Sequence, residues 1–312
     1  MYNVEVMKDF VGNANIINYL KKAVNSGELS HAYLFCGPEN VGKTKAATYF
    51  AKLLLCEGAN PTVCGSCPSC KLFESGNHPD FFYLDKETVL VDEIRELVSS
   101  LDLKPYRGKG KIALISHAER LTNQALNSFL KTLEEPSNHT TIILTTENRK
   151  NLLPTIVSRA RAINFGLVPD KQIFEHLNGE LGIKKEETLR ITALASGRIG
   201  FAVSLSENSD KTGEIVGLTE EFNRIYRSQD IYEKISYADK LSKSKDNLPD
   251  NLQNIELGAR NELLSLPVTE ANKSHINNLI KMLDKIAKSR EMIASNANAR
   301  LVLEGLLMGN IS

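Results

Sequence analysis

The stretch AYLFCGPENVGKTKAATYFAKLLL, residues 32–55, decides the fold. Its apolar start, residues 32–36, predicts a strand, and its end, residues 45–55, predicts a helix. Between them GPENVGKT, residues 37–44, satisfies the pattern G-x-x-x-x-G-K-[ST] in the strand–loop–helix context that the pattern requires. The stretch therefore predicts a phosphate-binding loop, and a glycine-rich connector is the alternative interpretation.

This loop predicts how a nucleotide would be held. Gly37 and Gly42 permit positive φ angles, so that backbone N–H groups can converge on phosphate oxygens. Lys43 would neutralise the β- and γ-phosphates of ATP, and the Thr44 hydroxyl would ligate Mg²⁺ at the N-terminus of the helix. The candidate nucleotide-binding residues are Gly37, Pro38, Glu39, Asn40, Val41, Gly42, Lys43 and Thr44.

Turnover of ATP is a separate question, because hydrolysis also needs carboxylates that hold Mg²⁺ and polarise the attacking water. The strand predicted at residues 111–116 ends at Ser116 and is followed by His117, where hydrolysis would require an Asp-Glu pair. Glu119 is expected to point elsewhere, and His117 is either a general base or a hydrogen-bonded structural residue. We therefore predict weak or absent ATPase activity.

Four of the five cysteines lie close together in the sequence. Cys64, Cys67 and Cys70 form C-x-x-C-x-x-C, and Cys56 precedes them across a short loop. Four thiolates on a tight loop suit a closed, structural Zn²⁺ site, whereas a redox pair or an iron–sulfur cluster is the alternative. Cys36, the fifth, is expected to be a buried strand residue.

Periodicity along the chain predicts α/β structure followed by all-α structure. The first half alternates short apolar runs with helical patterns, as in parallel strands joined by crossover helices. Thr122 is the predicted N-cap of a helix that extends to Leu133. Strand signals stop after about Leu167, and the polar run at residues 206–213 predicts a domain boundary. The predicted strands are residues 32–36, 81–84, 111–116, 140–146 and 162–165.

Length and charge limit the possible functions. A chain of 312 residues is expected to hold two or three domains. Its 38 basic and 38 acidic residues leave no net positive charge for wrapping a polyanion, so the basic turn at residues 106–111 is either a local DNA or partner contact or a solvated loop. Residues 1–9 carry no apolar signal core, and no stretch approaches 18 consecutive apolar residues. A cytoplasmic protein with no membrane partner is expected.

Six segments carry a resemblance to one family: SHAYLFCG (residues 30–37), the four-cysteine module, GNHPDFF (residues 76–82), LTNQALNSFLKTLEEP (residues 121–136), PTIVSRARAINF (residues 154–165) and NANARLVLEGLL (residues 296–307). They resemble the bacterial clamp-loader AAA+ subunits of DNA polymerase III, and within that family the delta-prime group.

The resemblance implies three domains and a replication complex. The domains are an AAA+ RecA-like P-loop domain with the zinc module at residues 1–166, a helical lid at residues 167–208, and a helical collar for oligomerisation at residues 209–312. The implied complex is a hetero-pentamer with delta and tau or gamma subunits. It loads the sliding clamp on primed DNA as a component of a DNA-directed DNA polymerase.

The resemblance also assigns residues. The family's SRC motif falls on Ser158, Arg159 and Ala160, with alanine in place of cysteine. The match implies that Arg159 is an arginine finger that enters the ATP site of a neighbouring subunit; a solvated basic residue is the alternative. Thr145 or Thr146 resembles the sensor-1 position, and the alternative is a pair of strand-end hydroxyls.

Two departures separate the chain from family members that hydrolyse ATP. Those members carry an Asp-Glu pair where this chain has Ser116 and His117, and a sensor-2 arginine where this chain has Gly200. The departures favour a non-hydrolysing subunit in which nucleotide is either a fixed structural ligand or absent. The alternatives are an active AAA+ ATPase like tau/gamma and an unrelated P-loop kinase or other NTPase.

Overall fold

The structure is a computed structural model that describes residues 10–58, 62–107, 109–137, 139–244, 247–267 and 269–309. Residues 1–9, on which the expectation about a signal segment rests, lie outside the described residues. The chain divides into two compact units, Met1–Ile173 with Gly197–Phe201, and Phe174–Ser196 with Ala202–Ser312. The three-domain division implied by the resemblance stays a prediction.

A parallel sheet forms the centre of the first unit. Its strands are β1 (Ala32–Cys36), β2 (Phe81–Leu84), β3 (Lys111–Ile115), β4 (Thr140–Thr146) and β5 (Arg161–Asn164). They lie in the order β2-β3-β4-β1-β5, and every pair is parallel. The five predicted strands are confirmed; β3 ends one residue before the predicted end, and β5 lies one residue earlier than predicted. The α/β class of the first half is confirmed.

Helices cover both faces of this sheet. They are α1 (Ala14–Ser26), α2 (Lys43–Leu55), α3 (Pro68–Glu74), α4 (Val91–Leu101), α5 (Asn123–Glu134) and α6 (Pro154–Arg159). Because successive strand residues point to opposite faces, Tyr33 and Phe35 of β1 pack with α1 and α2, whereas Leu34 and Cys36 pack with α4 and α5. Cys36 is buried within its strand, as predicted.

The spacing of apolar residues in the sequence predicted helix α5. Ala125, Leu126, Phe129 and Leu133 recur at spacings of three and four and are all buried in one core. The Thr122 side chain accepts a hydrogen bond from the Ala125 N–H at 3.2 Å, which caps the helix. The predicted helix and its N-cap are confirmed.

The described residues of the second unit are helical. Two helices, α7 (Asp170–Glu175) and α9 (Ile199–Glu207), contribute residues to both units. The others are α8 (Lys185–Ala195), α10 (Ser209–Arg227), α11 (Ile231–Lys243), α12 (Leu248–Ser265), α13 (Lys273–Ala294) and α14 (Ala299–Met308). The apolar faces of α10 to α14 meet around Phe222, Ile286 and Leu303. The predicted helical second half is confirmed.

The polar run at residues 206–213 is mostly helical. Only Asn208 separates the end of α9 from the start of α10, so this segment forms a short break rather than an extended linker. Among the described residues, every helix is too short or too polar to span a lipid bilayer.

Candidate functional site

The phosphate loop lies where the carboxyl ends of β1 and β4 meet. The register pairs Cys36 with Thr146, so both strands end at the same level. The N–H of Gly37, the first loop residue, donates to the Thr146 carbonyl at 3.2 Å, and the Phe165 N–H donates to the Cys36 carbonyl at 2.7 Å. This edge of a parallel sheet is where ligands bind in open α/β folds.

The backbone of this loop needs its glycines. A Cβ atom on Gly37 would lie 2.4 Å from the carbonyl oxygen of Phe165, the residue after β5, so the backbone there excludes any side chain at this position. Gly42 has φ 95° and caps the N-terminus of α2, and Asn40 has φ 58°. These positive φ angles turn the chain back toward the helix N-terminus, where unpaired N–H groups favour an anion.

The side chain of Lys43 folds back onto the first residues of the phosphate loop. Its side chain is buried, and Nζ donates to the carbonyl oxygens of Gly37 and Pro38, each at 2.7 Å. Burial lowers the pKa of Lys43. An open cavity of about 220 Å³ lies beside it, lined by Glu39, Asn40, Gly42, Lys43, Thr44, Lys45, His117, Thr145 and Gly200.

The ends of β3 and β4 supply hydroxyl and backbone N–H groups near this site. Ser116 is fully buried, and its Oγ donates to the Tyr83 hydroxyl of β2 at 3.2 Å. The N–H of His117 donates to Thr145 Oγ1 at 3.1 Å. Thr146 Oγ1 instead donates to the Asn148 carbonyl at 3.2 Å. Of the two threonines that resemble sensor 1, Thr145 therefore lines the cavity.

The sequence did not suggest that three carboxylates act together on Lys43. Glu147, Glu39 and Glu119 act electrostatically on its ammonium and oppose the lowering of its pKa. Glu119 is not among the residues that line the cavity, and its Oε1 lies 3.6 Å from Nδ1 of His117. No local sequence pattern indicates this grouping, because the three residues follow three different strands.

Glu39, His117 and Glu147 could together hold a cation. One ligand atom from each lies within 4.8 Å of the others. Desolvation at this cluster and the neighbouring carboxyl of Glu39 raise the pKa of Glu147 to about 7. At neutral pH the carboxyl groups of Glu39 and Glu147 together therefore carry less than two full negative charges.

Gly200 closes the cavity from α9. Its N–H donates to the Asn40 carbonyl at 2.7 Å, and a Cβ atom there would lie 3.0 Å from the same oxygen. The approach of α9 to the loop leaves little room for a side chain at this position. The hydrogen bond between Gly200 and Asn40 therefore lies at the position where relatives that hydrolyse ATP are expected to carry an arginine.

Arg159 lies apart from this cavity, at the C-terminus of α6. One third of its side chain is exposed. Nη2 donates to Oε1 of Glu134 at 2.5 Å, and Nη1 donates to the Thr155 carbonyl at 3.0 Å. Arg159 is not among the residues that line the cavity of its own chain, and its role as an arginine finger stays a prediction.

The four cysteines of the module come together as a closed cluster. Their sulfur atoms all lie within 4.8 Å of one another. The Cys56 and Cys64 sulfurs are 3.6 Å apart, and the Cys64 and Cys70 sulfurs are 3.9 Å apart. A tetrahedral site with zinc–sulfur bonds of about 2.3 Å places its sulfurs about 3.8 Å apart, so the cluster has the dimensions to hold zinc.

Backbone N–H groups favour a thiolate at Cys64, whereas burial raises the pKa of Cys70. N–H groups of Cys64, Cys67 and Cys70 each point at the sulfur of the preceding cysteine in the module, at 3.3 to 3.4 Å. Such bonds from Cys67 and Ser66 lower the pKa of Cys64 to about 6. Thiolates are the form that binds zinc, and the donor set therefore fits this metal.

Buried polar contacts attach the cysteine module to the first unit. Ser69 Oγ donates to the Leu55 carbonyl at 2.7 Å and lies 2.7 Å from Nε2 of the buried His78. Nζ of Lys52, with 1% of its side chain exposed, lies 2.6 Å from Oε1 of Glu74. The Ser69–Leu55 and Lys52–Glu74 contacts join α2 to α3, the helix that contains Cys70.

Comparison with known proteins identifies the family. A family model described as "DNA polymerase III, delta subunit" matches residues 12–168, half of the chain. The chain is 34% identical over 200 residues to "DNA polymerase III subunit delta'" of Bacillus subtilis, covering 62% of this chain and 59% of that protein. It is 40% identical over 135 residues to the protein of the same name from Pseudomonas aeruginosa, covering 42% of this chain and 41% of that protein.

A third relative has a different name. The chain is 33% identical over 213 residues to "DNA polymerase III subunit tau/gamma" of Haemophilus influenzae, covering 66% of this chain. It spans only 31% of the length of that relative. The match of the family model over half of the chain shows that it belongs to the DNA polymerase III, delta subunit family, the clamp-loader family that its motifs resemble.

Proposed function

We propose that this chain is a clamp-loader subunit of the delta-prime type, which assists ATP hydrolysis in a neighbouring subunit and hydrolyses little or no ATP itself. The observation that carries the proposal is a contrast between two parts of the chain: the residues that would hydrolyse ATP at its own phosphate loop, and the arginine that would act at the site of a neighbour. The strand end that should supply the Mg²⁺-binding and catalytic carboxylates supplies Ser116 and His117, whereas Arg159 is partly exposed at the end of α6.

The proposed partners are tau or gamma subunits and a delta subunit in a hetero-pentamer. Through this complex the chain would act on the sliding clamp and primed DNA during replication. Arg159 would enter the ATP site of the adjacent subunit and stabilise charge on the γ-phosphate, a contribution of about 10³ to 10⁵ in rate when a finger is supplied in trans. The helical second unit would supply the collar contacts.

The phosphate loop is proposed to bind nucleotide weakly or as a structural ligand. Its backbone turns are formed, but Lys43 is engaged with the Gly37 and Pro38 carbonyls. The cluster of Glu39, Glu119 and Glu147 adds negative charge where a polyphosphate would have to lie. Both features oppose binding of ATP unless they rearrange.

Cys56, Cys64, Cys67 and Cys70 are proposed to hold one structural Zn²⁺ ion. The sulfur spacing and the N–H groups that point at the sulfurs support this assignment. All four positions are filled by protein, and a closed site of this kind stabilises a loop rather than taking part in catalysis.

An active ATPase is the second candidate function. The observation that favours it is the presence of Glu119 and Glu147 near Lys43, because either carboxylate could replace the missing Asp-Glu pair. In that case Lys43 would be essential for turnover and the chain would resemble tau/gamma in activity.

The ATPase activity of the reconstituted complex separates the two candidates. Wild type, Arg159→Ala and Lys43→Ala would be compared in the presence of clamp and primed DNA, with Arg161→Ala as the matched loss of charge two residues from Arg159. The proposal expects a loss of about 10³-fold or more at the affected site with Arg159→Ala and little change with the other two. Loss with Lys43→Ala and indifference to Arg159→Ala would establish the active ATPase instead.

A further inference from the structure

Arg159 is held in place by two different helices. Its Nη2 lies 2.5 Å from Oε1 of Glu134, the last residue of α5. Its Nη1 lies 3.0 Å from the carbonyl oxygen of Thr155, within α6. A planar guanidinium with one partner can still turn about that contact, but partners on two elements fix both its position and its plane.

These contacts leave part of the guanidinium available. Arginine has five N–H donors, and two of them are used here, so three remain for an anion. With 33% of its side chain exposed, Arg159 can meet an oxygen that approaches from outside the chain. Glu134 is itself 47% exposed, so the pair lies at the surface rather than in the core.

An oriented arginine acts on a transition state more effectively than a free one. A long side chain loses rotamer freedom when it is fixed, and if that loss occurs before the reaction it does not add to the barrier. The carboxylate of Glu134 would hold the arginine in the state that reacts.

We propose that Glu134 is a positioning residue for Arg159, needed for the rate of hydrolysis in the neighbouring subunit and not for its affinity for ATP. The inference rests on the proposed function, because it requires Arg159 to act in trans. Glu134 is not among the residues that line the cavity of its own chain; it would act through the guanidinium of Arg159.

The test is steady-state ATPase activity of the reconstituted complex with tau or gamma, delta, clamp and primed DNA. The variants are Glu134→Gln, Glu134→Asp, Arg159→Ala and the double variant Glu134→Gln/Arg159→Ala. Glu135→Gln is the matched control, because it removes the same charge from the next exposed residue. Assembly of each complex is checked by gel filtration, so that activities are compared at equal occupancy.

Glu134→Gln is expected to lower kcat about fivefold with KM unchanged, the size of effect that an exposed ion pair gives. Glu134→Asp, which keeps the carboxylate, is expected to recover most of the loss, and Glu135→Gln is expected to match wild type. In the Arg159→Ala background, Glu134→Gln is expected to have no further effect, because both changes remove one interaction.

Each other outcome has a distinct meaning. Wild-type activity of Arg159→Ala would overturn the proposed function, and the inference with it. Loss with Arg159→Ala but wild-type activity of Glu134→Gln would overturn the inference alone. A rise in kcat with Glu134→Gln would show that the carboxylate restrains the finger, and an added loss in the double variant would show a role independent of Arg159; either result rejects the positioning role.

Discussion

Replacing Glu74 by glutamine is expected to destabilise the first unit by about 2 kcal/mol. Nζ of Lys52, with 1% of its side chain exposed, lies 2.6 Å from Oε1 of Glu74, which is 38% exposed. Removing the carboxylate leaves a buried ammonium with a neutral partner. Breaking a fully buried pair costs about 3 to 5 kcal/mol and breaking an exposed pair up to about 1 kcal/mol, and the half-exposed Glu74 places this pair between them.

Lys52→Met is the matched variant, because it removes the buried charge and keeps an unbranched apolar stem. The Glu74 carboxylate can then be solvated, and the expected loss is below about 1.5 kcal/mol. The double variant is expected to be as stable as Lys52→Met alone, since Glu74→Gln no longer leaves a buried ammonium without its counter-charge.

Thermal unfolding followed by circular dichroism, with zinc present and at neutral pH, measures these differences. For a unit of this size, about 2 kcal/mol corresponds to a fall of about 4 to 8 °C in Tm. The test is which variant has the lower Tm. If Lys52→Met lowers Tm as much as Glu74→Gln does, the unpaired buried ammonium is not the source of the loss, and the reasoning is refuted.

Three further predictions concern the site and the cysteine module. Metal analysis of the purified protein is expected to give about one zinc per chain, and both chelation and Cys70→Ser should lower Tm; four freely titrating thiols without zinc would reject the site. Gly37→Ala is expected to cost about 1 to 3 kcal/mol in urea unfolding, because its Cβ would meet the Phe165 carbonyl at 2.4 Å; Gly76→Ala, where nothing lies within 4 Å, controls for the backbone effect of losing a positive-φ glycine. The pKa of Glu147 is raised from 4.5 to about 7, so the folded state keeps a proton that the unfolded chain loses, and stability should fall as pH rises between these values. Tm measured from pH 4 to 8 should show this fall in wild type and a flatter profile in Glu147→Gln.

Local patterns predicted the framework of the first unit correctly. The apolar run of β1, the glycines of the loop and the start of α2 lie next to one another in the sequence, so one motif fixes all three. Thr122 as an N-cap and the spacing of Phe129 and Leu133 likewise depend only on neighbours along the chain. Strand ends moved by one residue, because hydrogen bonding to the neighbouring strand decides where β3 and β5 stop.

Contacts between distant segments could not be predicted in the same way. Glu39 and Glu147 belong to loops after β1 and β4, and only the strand order brings them together. The pairing of Arg159 with Glu134 depends on how α6 packs beside α5. The cysteines were the exception, because all four lie within a single short segment and their spacing alone indicates that they come together.

The hydrogen bonds of Lys43 have a consequence for kinetics. Nζ must leave the Gly37 and Pro38 carbonyls before it can reach a phosphate, so the loop has to open before a nucleotide can be fully engaged. When opening comes first and is slow, the observed rate constant of binding stops increasing at high nucleotide concentration and reaches the opening rate. The measured affinity is then lower than that of the open loop by the fraction of molecules that are open. In an assembled ring, a neighbour that favours the open loop would raise this affinity without touching the nucleotide.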